Sequence, residues 1–76
     1  MKSLLITLAR QLVTQPGRVQ VREFVRDGQT VLELGVAEED RGRVIGRNGR
    51  TADALRTVLD AVARRQGISN VMEIER

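Results

Sequence analysis

The sequence contains no histidine, no cysteine, no tryptophan and no tyrosine, and Phe24 is its only aromatic residue. Without histidine the commonest general base is missing; without cysteine there is neither a thiolate nucleophile nor a disulfide framework. The usual zinc and haem ligands go with them. Long apolar runs are also missing. Leu4-Leu5-Ile6 after Met1-Lys2 begins like a secretion signal, but Arg10 interrupts it too early and no small-residue cleavage site follows. A membrane span needs about 20 predominantly apolar residues, and nothing here approaches that. These absences argue against an enzyme, a metal or cofactor site and a membrane protein. The expectation is a cytoplasmic protein, with a reducing compartment allowed though not required.

What is present fits one small folded unit. A chain of 76 residues has room for a single domain with a single core. At 41% hydrophobic and 30% charged it reads as globular, because a disordered chain carries fewer aliphatic residues and a larger charge imbalance. The net charge of +3 is unevenly placed. Residues 41 to 50 hold Arg41, Arg43, Arg47 and Arg50 and no acid, so this window contributes +4 and the remainder −1. Three of the seven glycines, Gly42, Gly46 and Gly49, lie in the same window. A concentrated basic, glycine-rich segment on a nearly neutral body suggests a site for a polyanion.

Leu5, Leu8, Ala9, Leu12 and Val13 recur at helical spacing, which predicts an amphipathic helix over residues 1–15, ended by Pro16-Gly17. Residues 18–36 read as a hairpin. A type I′ turn needs positive φ at both central positions, and Asp27-Gly28 tolerates that best. Counting outward from that turn pairs Arg26 with Gln29, Phe24 with Val31, Arg22 with Glu33 and Val21 with Leu34. One face then carries Val19, Val21, Val25, Leu32, Leu34 and Val36, and the other is polar apart from an exposed Phe24–Val31 pair. Glu38-Glu39-Asp40 suits the negative start of a short helix. Gly46 ends that helix. Ala52, Leu55, Val58, Leu59 and Val62 then continue a longer one to Gly67, giving helix, loop and helix over 38–66. Residues 70–75 alternate as a last strand. The order is α-β-β-α-α-β.

The chemistry concentrates in Gly46-Arg47-Asn48-Gly49. Two glycines three apart let the backbone turn sharply and let a ligand approach without meeting a Cβ atom. The loop amides and the free N–H groups of the following helix are expected to converge on one point, which favours a phosphate. Arg47 and Arg50 add two-pronged grips on phosphate oxygens. Asn48 reads as a turn or capping residue. Such a glycine pair alone is equally a helix–helix turn kept soluble by arginine.

Val44-Ile45-Gly46-Arg47-Asn48-Gly49 resembles the Val-Ile-Gly-x-x-Gly hallmark of the KH domain family of RNA-binding proteins, and it lies between two helices as that family requires. The helix and strand preceding this core resemble the type II arrangement, in which the final strand runs parallel to the second. The resemblance covers essentially the whole chain. With Gly49-Arg50-Thr51-Ala52 after the loop, it is nearest to the small stand-alone bacterial KhpA group. It implies an α+β fold, a single type II-like KH domain over residues 1–76 with a three-stranded sheet packed against helices on one face. It also implies that Gly46, Arg47, Asn48 and Gly49 clamp the backbone of about four nucleotides of single-stranded RNA, assisted by Arg50. Val44 and Ile45 would lie near the floor of a groove for the bases. Leu32, Leu34 and Val36 would form its far wall, although plain core is the preferred reading of Leu34. Arg41 and Arg43 would line the approach or be merely solvated. The group further implies a larger KH-containing partner of KhpB type, self-association into a homodimer, and roles in RNA regulation and cell elongation. No cofactor or metal is implied.

Lacking aromatic platforms, the domain forgoes roughly 1–3 kcal/mol of stacking per base, so weak binding with little sequence discrimination is expected, and a second site would supply affinity. Two other classes fit the residues less well. A nucleotidase phosphate loop requires glycine where Val44 stands and lysine where Arg50 stands, and Glu38, Glu39 and Asp40 fan out around a helix start rather than converge as metal ligands. A protein–protein adaptor with a vestigial loop remains the alternative, with Phe24 and Val31 as a candidate contact surface.

Overall fold

The computed structural model describes residues 1–75; Arg76, part of the expected domain, lies outside the described residues. The elements are α1 (Lys2–Arg10), β1 (Gln20–Arg26), β2 (Gln29–Gly35), α2 (Arg41–Ile45), α3 (Arg50–Gln66) and β3 (Asn70–Ile74), in the order α-β-β-α-α-β. Single 3₁₀ turns at Pro16–Arg18, Glu38–Asp40 and Arg47–Gly49 link them.

Asp27 (φ 53°) and Gly28 (φ 77°) both take positive φ, as the turn requires. The register is the one counted from it, from Arg26 opposite Gln29 to Val21 opposite Leu34. β3 then adds to β2 in parallel, Val31 beside Val71, Leu32 beside Met72 and Leu34 beside Ile74. The sheet order β1-β2-β3 makes β2 the central strand.

Val21, Leu32, Leu34 and Met72 share the inner face and are buried against Leu5 and Ala9 of α1, Val44 of α2, and Ala52, Leu55 and Leu59 of α3. The α3 positions Ala52, Leu55, Leu59 and Ala63 fall at intervals of three and four, so one stripe of that helix faces the sheet.

Two expectations about the hairpin faces are corrected. Val31 is 1% exposed rather than open. The parallel third strand places Val71 beside it and β1 places Phe24 opposite it, and both are half-buried. Phe24 and Val31 therefore form no exposed pair for a partner. Arg22 lies 5.3 Å from the Phe24 ring centroid and bridges to Glu33 at 2.8 Å, so charge borders this small outer cluster. Conversely Val25, assigned to the apolar face, is 73% exposed because it sits beyond the reach of the helices near the turn.

The first helix is also shorter than the apolar spacing predicts, ending at Arg10 rather than Thr14-Gln15. Two amides that a longer helix would need are taken up by a residue far along the chain. Asp40 is completely buried, and its carboxylate accepts the Thr14 amide (3.0 Å), the Thr14 hydroxyl (2.8 Å) and the Gln15 amide (3.0 Å). Amides so engaged do not extend a helix. Asp40, expected as an acid at a helix start, precedes α2 but makes no side-chain cap there. Instead it ties the segment between α1 and β1 to the start of the helix that leads into the glycine loop.

Candidate nucleic-acid interface

The loop is built around the conformation of its first glycine. Gly46 adopts φ 79° and ψ 173°, a region closed to side-chain-bearing residues. A Cβ atom there would also lie 2.8 Å from the Thr51 amide nitrogen and 2.7 Å from its Cβ, far inside contact distance. The first turn of α3 thus packs directly on Gly46. Asn48 (φ 57°) and Gly49 (φ 75°) follow in left-handed conformations that turn the chain into α3. A Cβ atom on Gly49 would meet nothing within 4 Å. The two glycines therefore differ: one admits the protein's own helix, and the other leaves open space.

The expected convergence of loop amides is only partly realised. The Gly46 amide donates to Gly42 O (2.9 Å), that of Gly49 to Gly46 O (3.2 Å), and that of Arg50 to Arg47 O. The last turn of α2 and the tight 3₁₀ turn after it consume these donors internally. Attraction for an anion thus rests more on the exposed Arg47 and Arg50 side chains and on the start of the 17-residue α3.

Beside the loop runs a trough of about 270 Å³ lined by Arg41, Ile45, Gly49, Ala52, Arg56 and Ile74. Three of these were expected at the site: Gly49, Ile45 (38% exposed) and Arg41. The far wall differs from the expected one. Leu32 and Leu34 are fully buried in the core, because β3 covers the edge of β2 that would otherwise border the trough. The wall is Ile74, on the edge strand. Val44 likewise points into the core and supports the trough from beneath, while Val36 belongs to an adjoining hollow. Arg43 is exposed and held 3.6 Å from Asp40, off the trough.

Arg56 was not singled out, since an arginine on a helix ordinarily reads as solvated. It donates to Met72 O at 3.3 Å and pairs with Asp53 at 3.4 Å, which lays its side chain from α3 across to β3. The available signal was its spacing, four residues after the buried Ala52 and seven after Gly49, on the helix side that meets the loop.

Asp40 is a buried charge at the start of α2. The Thr14 amide holds its carboxyl below the usual carboxylate range, against the desolvation of burial, with help from the Thr14 hydroxyl, the Gln15 amide and Arg43. No group of three acidic, histidine or cysteine residues able to hold a metal occurs among the described residues. Nor, among them, is any helix long and apolar enough to cross a membrane.

Residues 2–74 match the family described as KhpA/KhpB, KH domain. The chain is 49% identical to the RNA-binding protein KhpA of Clostridium acetobutylicum, over 97% of this chain and 99% of that one. It is 43% identical to the protein of that name from Clostridium perfringens over the same shares, and 44% identical to that of Treponema pallidum over 96% of this chain and 91% of the relative. With its glycine loop set between two helices and beside a trough walled by a parallel edge strand, the chain belongs to the KhpA/KhpB family of KH domains.

Proposed function

We propose that this chain binds single-stranded RNA. Arg47, Asn48 and Arg50 lie along the sugar–phosphate backbone at the glycine loop, while the trough formed by Ile45, Ala52 and Ile74 takes the bases. The observation that carries this reading is the coincidence of two features. The whole positive surplus of the chain lies on one segment, and that segment opens onto a partly apolar trough through a glycine with free space above it. The relatives named above are RNA-binding proteins, which supports the same class of ligand.

The expected mode is loose. About four nucleotides are held without an aromatic platform, so binding is weak and tolerant of sequence. Affinity then comes from a second site, supplied by a KhpB-type KH protein or a second copy. On this reading the chain acts as an RNA chaperone or post-transcriptional regulator, and the family resemblance supports a role in cell elongation and cell-wall homeostasis.

The test is the double substitution Arg47→Asp, Asn48→Asp. Both side chains are exposed, and aspartate tolerates the left-handed position of Asn48 much as asparagine does. The fold should be unchanged by circular dichroism. Binding of a fluorescent uridine decamer at low salt should fall by at least about tenfold, as expected when phosphate contacts are replaced by like charge. Undiminished binding by the folded variant would place the RNA site elsewhere and favour the adaptor reading.

A further inference from the structure

The glycine loop and trough leave one polar hollow unused. At the end of the sheet Gln20 pairs with Gly35, and the Glu75 amide donates to Leu34 O at 2.7 Å, extending β3 past Ile74. Gln20, Gly35 and Glu75 thus form one row across the outer face, and its central member has no side chain. The resulting notch measures about 180 Å³ and is completed by Arg18, Val36 and Arg41. Gly35 has no positive φ to explain it. A strand glycine without a backbone reason weakens the strand and often marks a place where a ligand comes close. Here a Cβ atom would press on the Glu75 carboxylate at 3.0 Å.

Arg41 joins this notch to the trough, lining both. Its Nε is buried and finds no hydrogen-bond acceptor among the described residues. A buried donor without an acceptor is costly, and a ligand that supplies one relieves the cost. Among the described residues Glu75 has no cation within ion-pair distance, so both of its carboxylate oxygens are open to an incoming donor.

We propose that the notch is a second subsite of the RNA interface, which takes one guanine from a nucleotide adjoining those in the trough. The proposal rests on the RNA-binding reading above. Guanine alone presents two neighbouring donors, N1–H and the N2 amino group, on one edge, and these match the two acceptor oxygens of Glu75. Adenine and cytosine set a donor beside an acceptor there, and uracil offers one donor between two acceptors. The carboxylate also repels a phosphate, so a base enters the notch while Arg18 and Arg41 at its walls hold the adjoining phosphate. The notch provides hydrogen-bonded discrimination that the trough, without aromatic stacking, lacks.

The test compares uridine decamers carrying a single central guanosine, inosine, adenosine or cytidine, by fluorescence anisotropy at low salt on the full chain. For the wild type, guanosine should tighten binding at least about fivefold over uridine, the lower range of a two-point base contact, and inosine, lacking the amino group, should give back part of that gain. Glu75→Gln should abolish the guanosine advantage without weakening binding of the all-uridine decamer. Gly35→Val, which fills the notch with a residue suited to a strand, should do the same. A guanosine advantage that is absent from the wild type, or that survives both substitutions, would overturn the subsite, provided the all-uridine decamer still binds and still depends on Arg47 and Asn48. Loss of that dependence would instead overturn the RNA site itself, and the subsite with it.

Discussion

Replacing each loop glycine by alanine should separate the two tasks assigned to them. At Gly46 the new residue would be held at φ 79°, ψ 173°, a strain of order 1–3 kcal/mol for a non-glycine residue. Its methyl group would also sit 2.7–2.8 Å from Thr51 atoms, including backbone, and such overpacking adds about 1–3 kcal/mol. The sum of about 2–6 kcal/mol is a large part of the roughly 4–11 kcal/mol expected for a domain of this length. At Gly49 the left-handed conformation costs about 1–2 kcal/mol, partly offset by the stiffer unfolded chain, and no atom is displaced. With a urea m-value near 1 kcal/mol/M, Gly46→Ala should lower the unfolding midpoint by about 2 M or more, and Gly49→Ala by about 1 M or less. RNA affinity should show a different pattern. Gly49→Ala puts a methyl group into the space assigned to the ligand, so uridine-decamer binding should weaken about tenfold while the protein stays folded. Equal midpoints for the two variants would refute the packing of Thr51 on Gly46. Full RNA binding by Gly49→Ala would refute the close approach of ligand at that position.

Asp40 gives a prediction with a defined sign. Its folded pKa lies below the unfolded value of about 3.9, so its contribution is complete above the unfolded pKa and is lost as pH falls through the folded one. Urea midpoints measured down from pH 6 should therefore drop below about pH 4 in the wild type, and more shallowly in Asp40→Asn, which has no charge to lose and sets an NH₂ group against an amide. A parallel decline in both proteins would contradict this role. For the RNA complex, three or four phosphate contacts give a log–log salt slope of roughly −2 to −3, measurable by titration at several salt concentrations; a slope near zero would contradict the electrostatic part of the reading. Leu59→Ala, at a fully buried position of α3, should cost about 2–5 kcal/mol in urea unfolding, and a loss under 1 kcal/mol would deny it a central place in the core.

Local rules carried far along this chain. Asp27-Gly28 set the hairpin register, and the spacing of Ala52, Leu55 and Leu59 marked the buried face of α3. The glycine loop stood out because two glycines and two arginines fall within five residues. What local rules did not reach was decided by contacts between distant segments. The path of the chain after α1, at Thr14 and Gln15, depends on a carboxylate 25 to 26 residues further on. The trough wall depends on β3 joining β2, which buries Leu32 and Leu34 and brings Ile74 to the edge; the same pairing buries Val31. Arg56 and Gly35 are unremarkable in sequence, and each gains meaning only from what lies across from it, the Met72 carbonyl and the Glu75 carboxylate.

The most direct measurement of where RNA lies is a two-dimensional NMR titration of the isotope-labelled chain with a uridine decamer at low salt. Amide shifts should move along Ile45 to Ala52, and at Arg56 and Ile74, with little change at Leu8 or Val58, which line a separate groove between α1 and the far side of α3. Shifts confined to that far side, with Gly46 to Arg50 unmoved, would contradict the assignment of the glycine loop as the RNA site.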